Sequence, residues 1–101
     1  MDLIQPSDDE RRIAAMCRAL SHPLRVGIVR FVAAPPGSIC NQIVLRTNRA
    51  QSTISEHLRI LVAAGLLECE HEGQVSAYWL APEALELLRN ALADISLRRR
   101  P

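Results

Sequence analysis

Three features of this 101-residue sequence predict a mainly α-helical domain with one small β-hairpin near its C-terminal end. Apolar residues recur at helical spacing in five separate segments. Proline- or glycine-bearing breaks and a short polar turn separate those segments. One stretch, Leu67 to Leu80, instead carries short strands around a glycine turn. The predicted order is α-α-α-α-β-β-α.

Each element has a local cause. Asp8-Asp9-Glu10 places negative charge where a first helix begins, which suits its dipole. Ile13, Met16, Cys17 and Leu20 then form one apolar stripe. Ser21-His22-Pro23 ends that helix: Ser21 or His22 closes the turn and Pro23 takes the first position of the next helix. That second helix aligns Leu24, Ile28, Phe31 and Val32 and stops at Ala34-Pro35-Pro36-Gly37. Ser38 is the expected N-cap of a short third helix with Ile39, Ile43 and Val44. Thr47-Asn48-Arg49 reads as a turn with Asn48 in the left-handed region. The fourth helix runs from about Gln51 to Ala64, with Ile54, Leu58, Leu61 and Val62 inward and Gly65 as its stop. Leu67–His71 and Val75–Leu80 are the arms of a hairpin around Glu72-Gly73-Gln74, with Gly73 at positive φ. Pro82 opens the last helix, whose Leu85, Leu88, Leu92 and Ile95 make another stripe.

Composition narrows the function classes. At 49% apolar residues the chain is globular, and its length suits a single domain over 9–97, with 1–8 as a flexible N-terminus and 98–101 as a basic tail. No apolar run reaches the ~18 residues needed to span a bilayer. The start, MDLIQPSDDERR, lacks a signal-peptide pattern. A cytoplasmic location without a membrane role is therefore expected. The cysteines Cys17, Cys40 and Cys69 are odd in number and far apart, which argues against a secreted disulfide framework. Net charge is only +1, yet all twelve basic residues are arginine, whose planar fork matches phosphate and guanine. Ser, His and Cys are scattered, with no glycine-rich phosphate loop and no paired carboxylates, so an enzyme is not expected.

The informative segment is helix, tight turn, helix, hairpin, from Ser38 to Leu80. A helix that is apolar behind and short-polar in front can set its N-terminal residues into the major groove of duplex DNA. Gln51, Ser52, Thr53, Ser55, Glu56 and Arg59 supply such a front, with Arg49 just before it. Gln bridges adenine N6 and N7, hydroxyls adapt to several partners, and Thr also touches the thymine methyl. Phosphate contacts are expected from Arg46, Arg49 and Arg59, with Arg25 or Arg30 in support. The hairpin would add a wing contact through His71, Gly73 and Gln74.

The stretch from Leu20 to Pro82 resembles the ArsR/SmtB family of bacterial winged-helix repressors. Ala19-Leu20-Ser21-His22-Pro23-Leu24-Arg25 follows that family's A-L-x-x-P-x-R junction. Gln51-Ser52-Thr53-Ile54-Ser55-Glu56-His57-Leu58-Arg59-Ile60-Leu61 is similar to its recognition helix. Ala64-Gly65-Leu66-Leu67, Glu72-Gly73 and Ala77-Tyr78-Trp79-Leu80 resemble its wing. The resemblance implies a winged helix-turn-helix repressor that binds a pseudo-palindromic operator as a homodimer. It also implies dimerisation through the first and last helices, here Ile13, Met16, Cys17, Leu85, Leu88, Leu92 and Ile95.

The departures are equally specific. This wing carries Glu68, Glu70 and Glu72, where the family is often basic, and Glu56 stands where a basic or neutral residue is usual. An acidic wing on a nearly neutral chain also fits a winged helix that binds a protein rather than DNA. Family repressors release DNA on binding a metal, metalloid or oxidant. The third-helix Cys-x-Cys pair of that family has no counterpart, since Cys40 falls between the two ligand positions. The last helix has Asp94 but no His for the family's zinc site. Cys17, Cys40 and Cys69 match the count for trivalent arsenic or antimony, or another thiophilic metal. They also fit a redox switch with Cys40 as its reactive thiol, or three inert core cysteines. Cys69-Glu70-His71 places two ligand types on one strand face.

Overall fold

The computed structural model describes residues 4–34 and 37–96. Pro35, Pro36 and the arginine tail lie outside the described residues. The order is α1 (Asp8–Ala19), α2 (Pro23–Val32), β1 (Ser38–Ile39), α3 (Cys40–Leu45), α4 (Gln51–Ala63), β2 (Leu67–Glu72), β3 (Val75–Leu80) and α5 (Pro82–Ser96). A mainly helical domain thus carries a three-stranded antiparallel sheet in the order β1-β3-β2.

The helix starts follow from local chemistry. Ser7 caps α1: its hydroxyl accepts from the Glu10 amide at 3.0 Å, and the Glu10 carboxylate accepts from the Ser7 amide at 2.7 Å. His22 caps α2, its Nδ1 accepting from the Leu24 amide at 3.2 Å ahead of Pro23. At the end of α4, Gly65 has φ 83°, its amide donates to Val62, and Leu66 donates back to Leu61. This is the paired closure of a Schellman motif, with Leu61 and Leu66 both buried over it.

Met16, Ala19, Ile28, Val32, Ile43, Ile54, Leu58, Leu61, Leu66 and Leu67 form the core, joined by Ala81 and Ala84 at the start of α5. Every helix contributes at least one buried residue, but α5 does so through Ala84 rather than through the stripe read from its sequence.

Four expectations are corrected. Ser38 is not a helix cap: it pairs with Tyr78 in a short strand, and α3 begins at Cys40 after Ile39. The Gln42 side chain closes that start by accepting from the Ile39 amide at 2.9 Å. Asn48 is not left-handed, because among the described residues positive φ occurs only at glycines. Thr47 makes that turn instead, its hydroxyl accepting from the Arg49 amide at 3.3 Å. Cys17 is exposed, because the inward face of α1 is centred on Met16 and Ala19. Met16, expected at a dimer interface, is 2% exposed within the single chain and faces the core.

Gly37 makes the missed strand possible. Its φ is 102°, and a Cβ there would stand 2.8 Å from the Tyr78 carbonyl oxygen. Gly37→Ala therefore combines backbone strain of about 1–2 kcal/mol with a backbone clash. Thermal melting should show a loss of at least about 5 °C, and an unchanged midpoint would contradict this packing.

Candidate nucleic-acid interface

α4 is built with two chemically distinct faces. Ile54, Leu58 and Leu61 are fully buried, whereas Gln51, Ser52, Thr53, Ser55, Glu56 and Arg59 are exposed. Ala50 caps the helix without a side-chain hydrogen bond, and the first turn holds no acidic residue. The first-turn amides of α4 are thus left without the side-chain partner and negative charge that α1 receives from Ser7 and Asp8-Asp9-Glu10. Such a terminus favours an approaching anion. Arg49 is exposed immediately before it.

The other arginines divide. Arg59 grips Glu56 one turn back, with Nε donating to Oε2 at 3.0 Å and Nη2 reaching Oε1. That hydrogen bond holds the Glu56 carboxyl below its usual range. Arg46 lies over the Phe31 ring at 5.5 Å. Arg25 donates from Nη1 to the Ala19 carbonyl at 3.2 Å, tying α2 to the end of α1. Arg30 is exposed on α2.

The hairpin register sorts the wing by face. Leu67, Cys69 and His71 stand opposite Leu80, Tyr78 and Ser76, and Glu68, Glu70 and Glu72 stand opposite Trp79, Ala77 and Val75 on the other face. Glu68 accepts a 2.6 Å hydrogen bond from the Trp79 indole, which gives it a structural task near the wing's base. Gly73 and Gln74 form the exposed tip, with Gly73 at φ 63°. The acidic row therefore lies on the face of the hairpin away from Cys69 and His71.

The three thiols are not gathered within one chain. Cys17 is exposed on α1, whereas Cys40 and Cys69 are half-buried around Tyr78 of β3. Cys40 Sγ is 3.8 Å from the Ser55 hydroxyl of α4. Burial first, then a hydrogen bond with Cys69 and the charges of both thiols, pushes the Tyr78 phenol up to about 12, so it stays protonated at neutral pH. Among the described residues, no three His, Cys, Asp or Glu side chains are placed to share a metal ion. Sequence reasoning missed the Cys69–His71–Ser76 contacts, because Ser76 joins them only through the hairpin register.

His57 does not face the groove side of α4. It is half-buried with its ring 4.8 Å from that of His22, and its Nδ1 is buried without a protein partner. Burial, then the charges of His22, Arg25 and Arg49, lower its pKa below the ordinary 6.5, against a smaller opposite effect of Glu56. The unfolded chain thus binds a proton that the folded chain refuses, and stability falls as pH drops below 6.5 towards the folded value. His57→Gln should flatten this part of a melting-temperature profile between about pH 7 and 5. Identical profiles for variant and parent would contradict the assignment.

The apolar seam of α5 is mostly uncovered. Leu85 is 41%, Leu92 58% and Ile95 73% exposed, while Leu88 and Leu87 pack partly on the core. Ile13 of α1 is also partly buried against the core. No helix among the described residues is long and apolar enough to cross a membrane.

Known proteins share this arrangement. The family described as "Helix-turn-helix domain" matches residues 20–70, from the α1–α2 junction into the wing. The HTH-type transcriptional regulator YgaV of Escherichia coli (strain K12) is 26% identical over 94 residues, covering 93% of this chain and 95% of that protein. A crystal structure described as a possible transcriptional regulator for arsenical resistance is 29% identical, with TM-score 0.71 over 84% of this chain and 86% of that one. The homodimeric winged helix-turn-helix DNA-binding domain of a possible ArsR-family regulator from Mycobacterium bovis, solved by NMR, shares the fold. It is 24% identical, with TM-score 0.68 over 98% of this chain and 97% of that one. The chain belongs to this helix-turn-helix family and is a DNA-binding transcriptional regulator of the ArsR/SmtB-like winged-helix kind.

Proposed function

We propose that the protein is a repressor that binds a pseudo-palindromic operator as a homodimer in the cytoplasm, and that it acts by binding alone, without catalysis. The observation that carries this reading is the polar row at the uncapped start of α4, set on a fully buried apolar back. Gln51, Ser52, Thr53 and Ser55 read base edges. Arg49 and the first-turn amides take phosphate, and Gly73 and Gln74 meet the flanking backbone. Leu85, Leu92 and Ile95 form the two-fold contact, supported by Leu88, Ile13 and Cys17. Release by a metal, metalloid or oxidant belongs to this reading. Cys40 and Cys69 sit beneath α4 and are better placed for it than Cys17.

The direct test is fluorescence anisotropy of the reduced protein on duplex DNA from upstream of its own coding sequence, across a salt series. Affinity should fall with salt at a slope of about −0.9 per neutralised phosphate. A chain that binds protein partners through its acidic wing would show no salt-dependent DNA binding.

Glu56 gives a second, oppositely signed result. Glu56→Gln removes a negative charge from the reading face and frees the Arg59 guanidinium for phosphate. It should tighten binding to unrelated duplexes and steepen the salt slope by up to about one unit per protomer. Weaker binding with a lost preference for one sequence would instead show Glu56 accepting from cytosine N4.

A further inference from the structure

We propose that Cys69 is a nucleophile activated by His71, and that it takes compact, uncharged carbon electrophiles of the enone class in the cavity between the wing and α4. This chemistry is independent of how α4 meets DNA, and its test uses no DNA.

The groups around the Cys69 sulfur form an ordered set. Cys69 and His71 are two apart on β2, so both side chains leave the same face. Cys69 Sγ stands 3.7 Å from His71 Nε2, within hydrogen-bond reach for sulfur. Ser76 lies directly across the hairpin from His71, and its hydroxyl is 2.7 Å from His71 Nδ1. With the Nδ1 proton donated to Ser76, the Nε2 lone pair is left to take the thiol proton. A nucleophile, a base within its reach and a third group that orients the base are the signature of an activated side chain. Tyr78, opposite Cys69 in the register, adds a donor. Its phenol stays protonated at neutral pH and hydrogen-bonds the same sulfur, so it donates to the thiolate as that forms.

The other thiols lack this set. Cys40 meets the Ser55 hydroxyl at 3.8 Å, which is no base at neutral pH, and Cys17 is exposed on α1. Among the described residues, neither meets a histidine.

The sulfur also opens onto space for a reactant. A cavity of about 330 Å3 is lined by Cys69 and His71 together with Val62 and Ala63 of α4 and Tyr78 of β3. That volume lies at the small end of ligand pockets, which sets the compact size. None of its described lining residues is a carboxylate, and its one guanidinium, Arg59, is already held by Glu56. An uncharged, partly apolar reactant therefore fits.

As Sγ attacks the β-carbon of an enone, its proton passes to His71 Nε2. The sulfur–carbon bond forms, the carbon–carbon π bond breaks, and its electron pair moves to the carbonyl oxygen as an enolate. His71 then returns the proton to the α-carbon. The thioether carries no leaving group, so each chain is modified once and does not turn over.

The test is a time course of the reduced, full-length protein with N-ethylmaleimide, read at each cysteine by peptide mass spectrometry. Exposure alone ranks Cys17 first. Activation ranks Cys69 first, by at least about tenfold at neutral pH. His71→Gln should remove at least about tenfold of the Cys69 rate and leave that of Cys17 unchanged. Ser76→Ala should remove part of it, and Ser76→Thr, which keeps the hydroxyl, should restore it. An unassisted thiol loses about tenfold in rate per pH unit below its pKa. Between about pH 8 and 6, Cys69 should lose less than this in the parent and the full amount in His71→Gln. A loosened wing does not imitate this result, since it would bare the half-buried Cys40 and Cys69 and speed both. Cys17 or Cys40 reacting first, or His71→Gln matching the parent in rate and pH slope, overturns the assignment.

Discussion

Leu92→Glu is expected to convert the protein to a monomer and to collapse its operator affinity. Leu92 is 58% exposed in the middle of the α5 seam, between Leu85 and Ile95. Burying a leucine is worth about 1.5–3 kcal/mol, and a two-fold contact counts it twice. Replacing it with a charge removes that gain and adds two carboxylates facing each other. Dimer dissociation should rise by on the order of 100-fold or more. Because Leu92 is not part of the core, the monomer should keep its helical content and lose little stability. Sedimentation with circular dichroism separates these outcomes. A dimer that survives the substitution would move the two-fold contact away from α5.

Gln51→Ala should lose discrimination, whereas Arg49→Ala should lose affinity without discrimination. Gln51 stands at the first position of α4 and is exposed, and in the proposed reading its amide makes two hydrogen bonds to one adenine. Each such pair is worth about 1–3 kcal/mol against the wrong base, and a dimer reads two half-sites. The operator should therefore approach non-specific DNA in affinity, by about 2–6 kcal/mol, with an unchanged salt slope. Arg49→Ala should weaken every duplex alike and lower the salt slope by about 0.9 per half-site. Competition binding on operator and scrambled DNA distinguishes the two. If both variants behave alike, Gln51 contacts backbone rather than bases.

The legible part of the sequence was what depends on near neighbours. Pro23, Gly65, Gly73 and Pro82 punctuate the chain where they stand, and the stripe through Ile54, Leu58 and Leu61 fixes which side of α4 is polar. Residues whose role depends on a distant partner were not legible. Ser38 has the chemistry of a helix cap, yet its pairing with Tyr78, forty residues away, makes it a strand residue. Met16 and Cys17 share one apolar stripe in sequence, but α4 and α5 pack on α1 so as to bury the first and leave the second exposed. In sequence the acidic wing shows only its charge; the register is what puts its glutamates on one face and gives Glu68 to Trp79. His57 lies on the recognition helix in sequence, and only the packing of the α1–α2 junction shows that it faces His22.

The central claim is that two copies of α4 read two half-sites of one operator. Selection of bound sites from a randomised duplex library by the reduced, full-length protein tests it most directly. The account predicts an enriched inverted repeat with half-sites about one helical turn, or a multiple, apart. Recovery of a single unrepeated site, or of no enriched sequence at all, would contradict it.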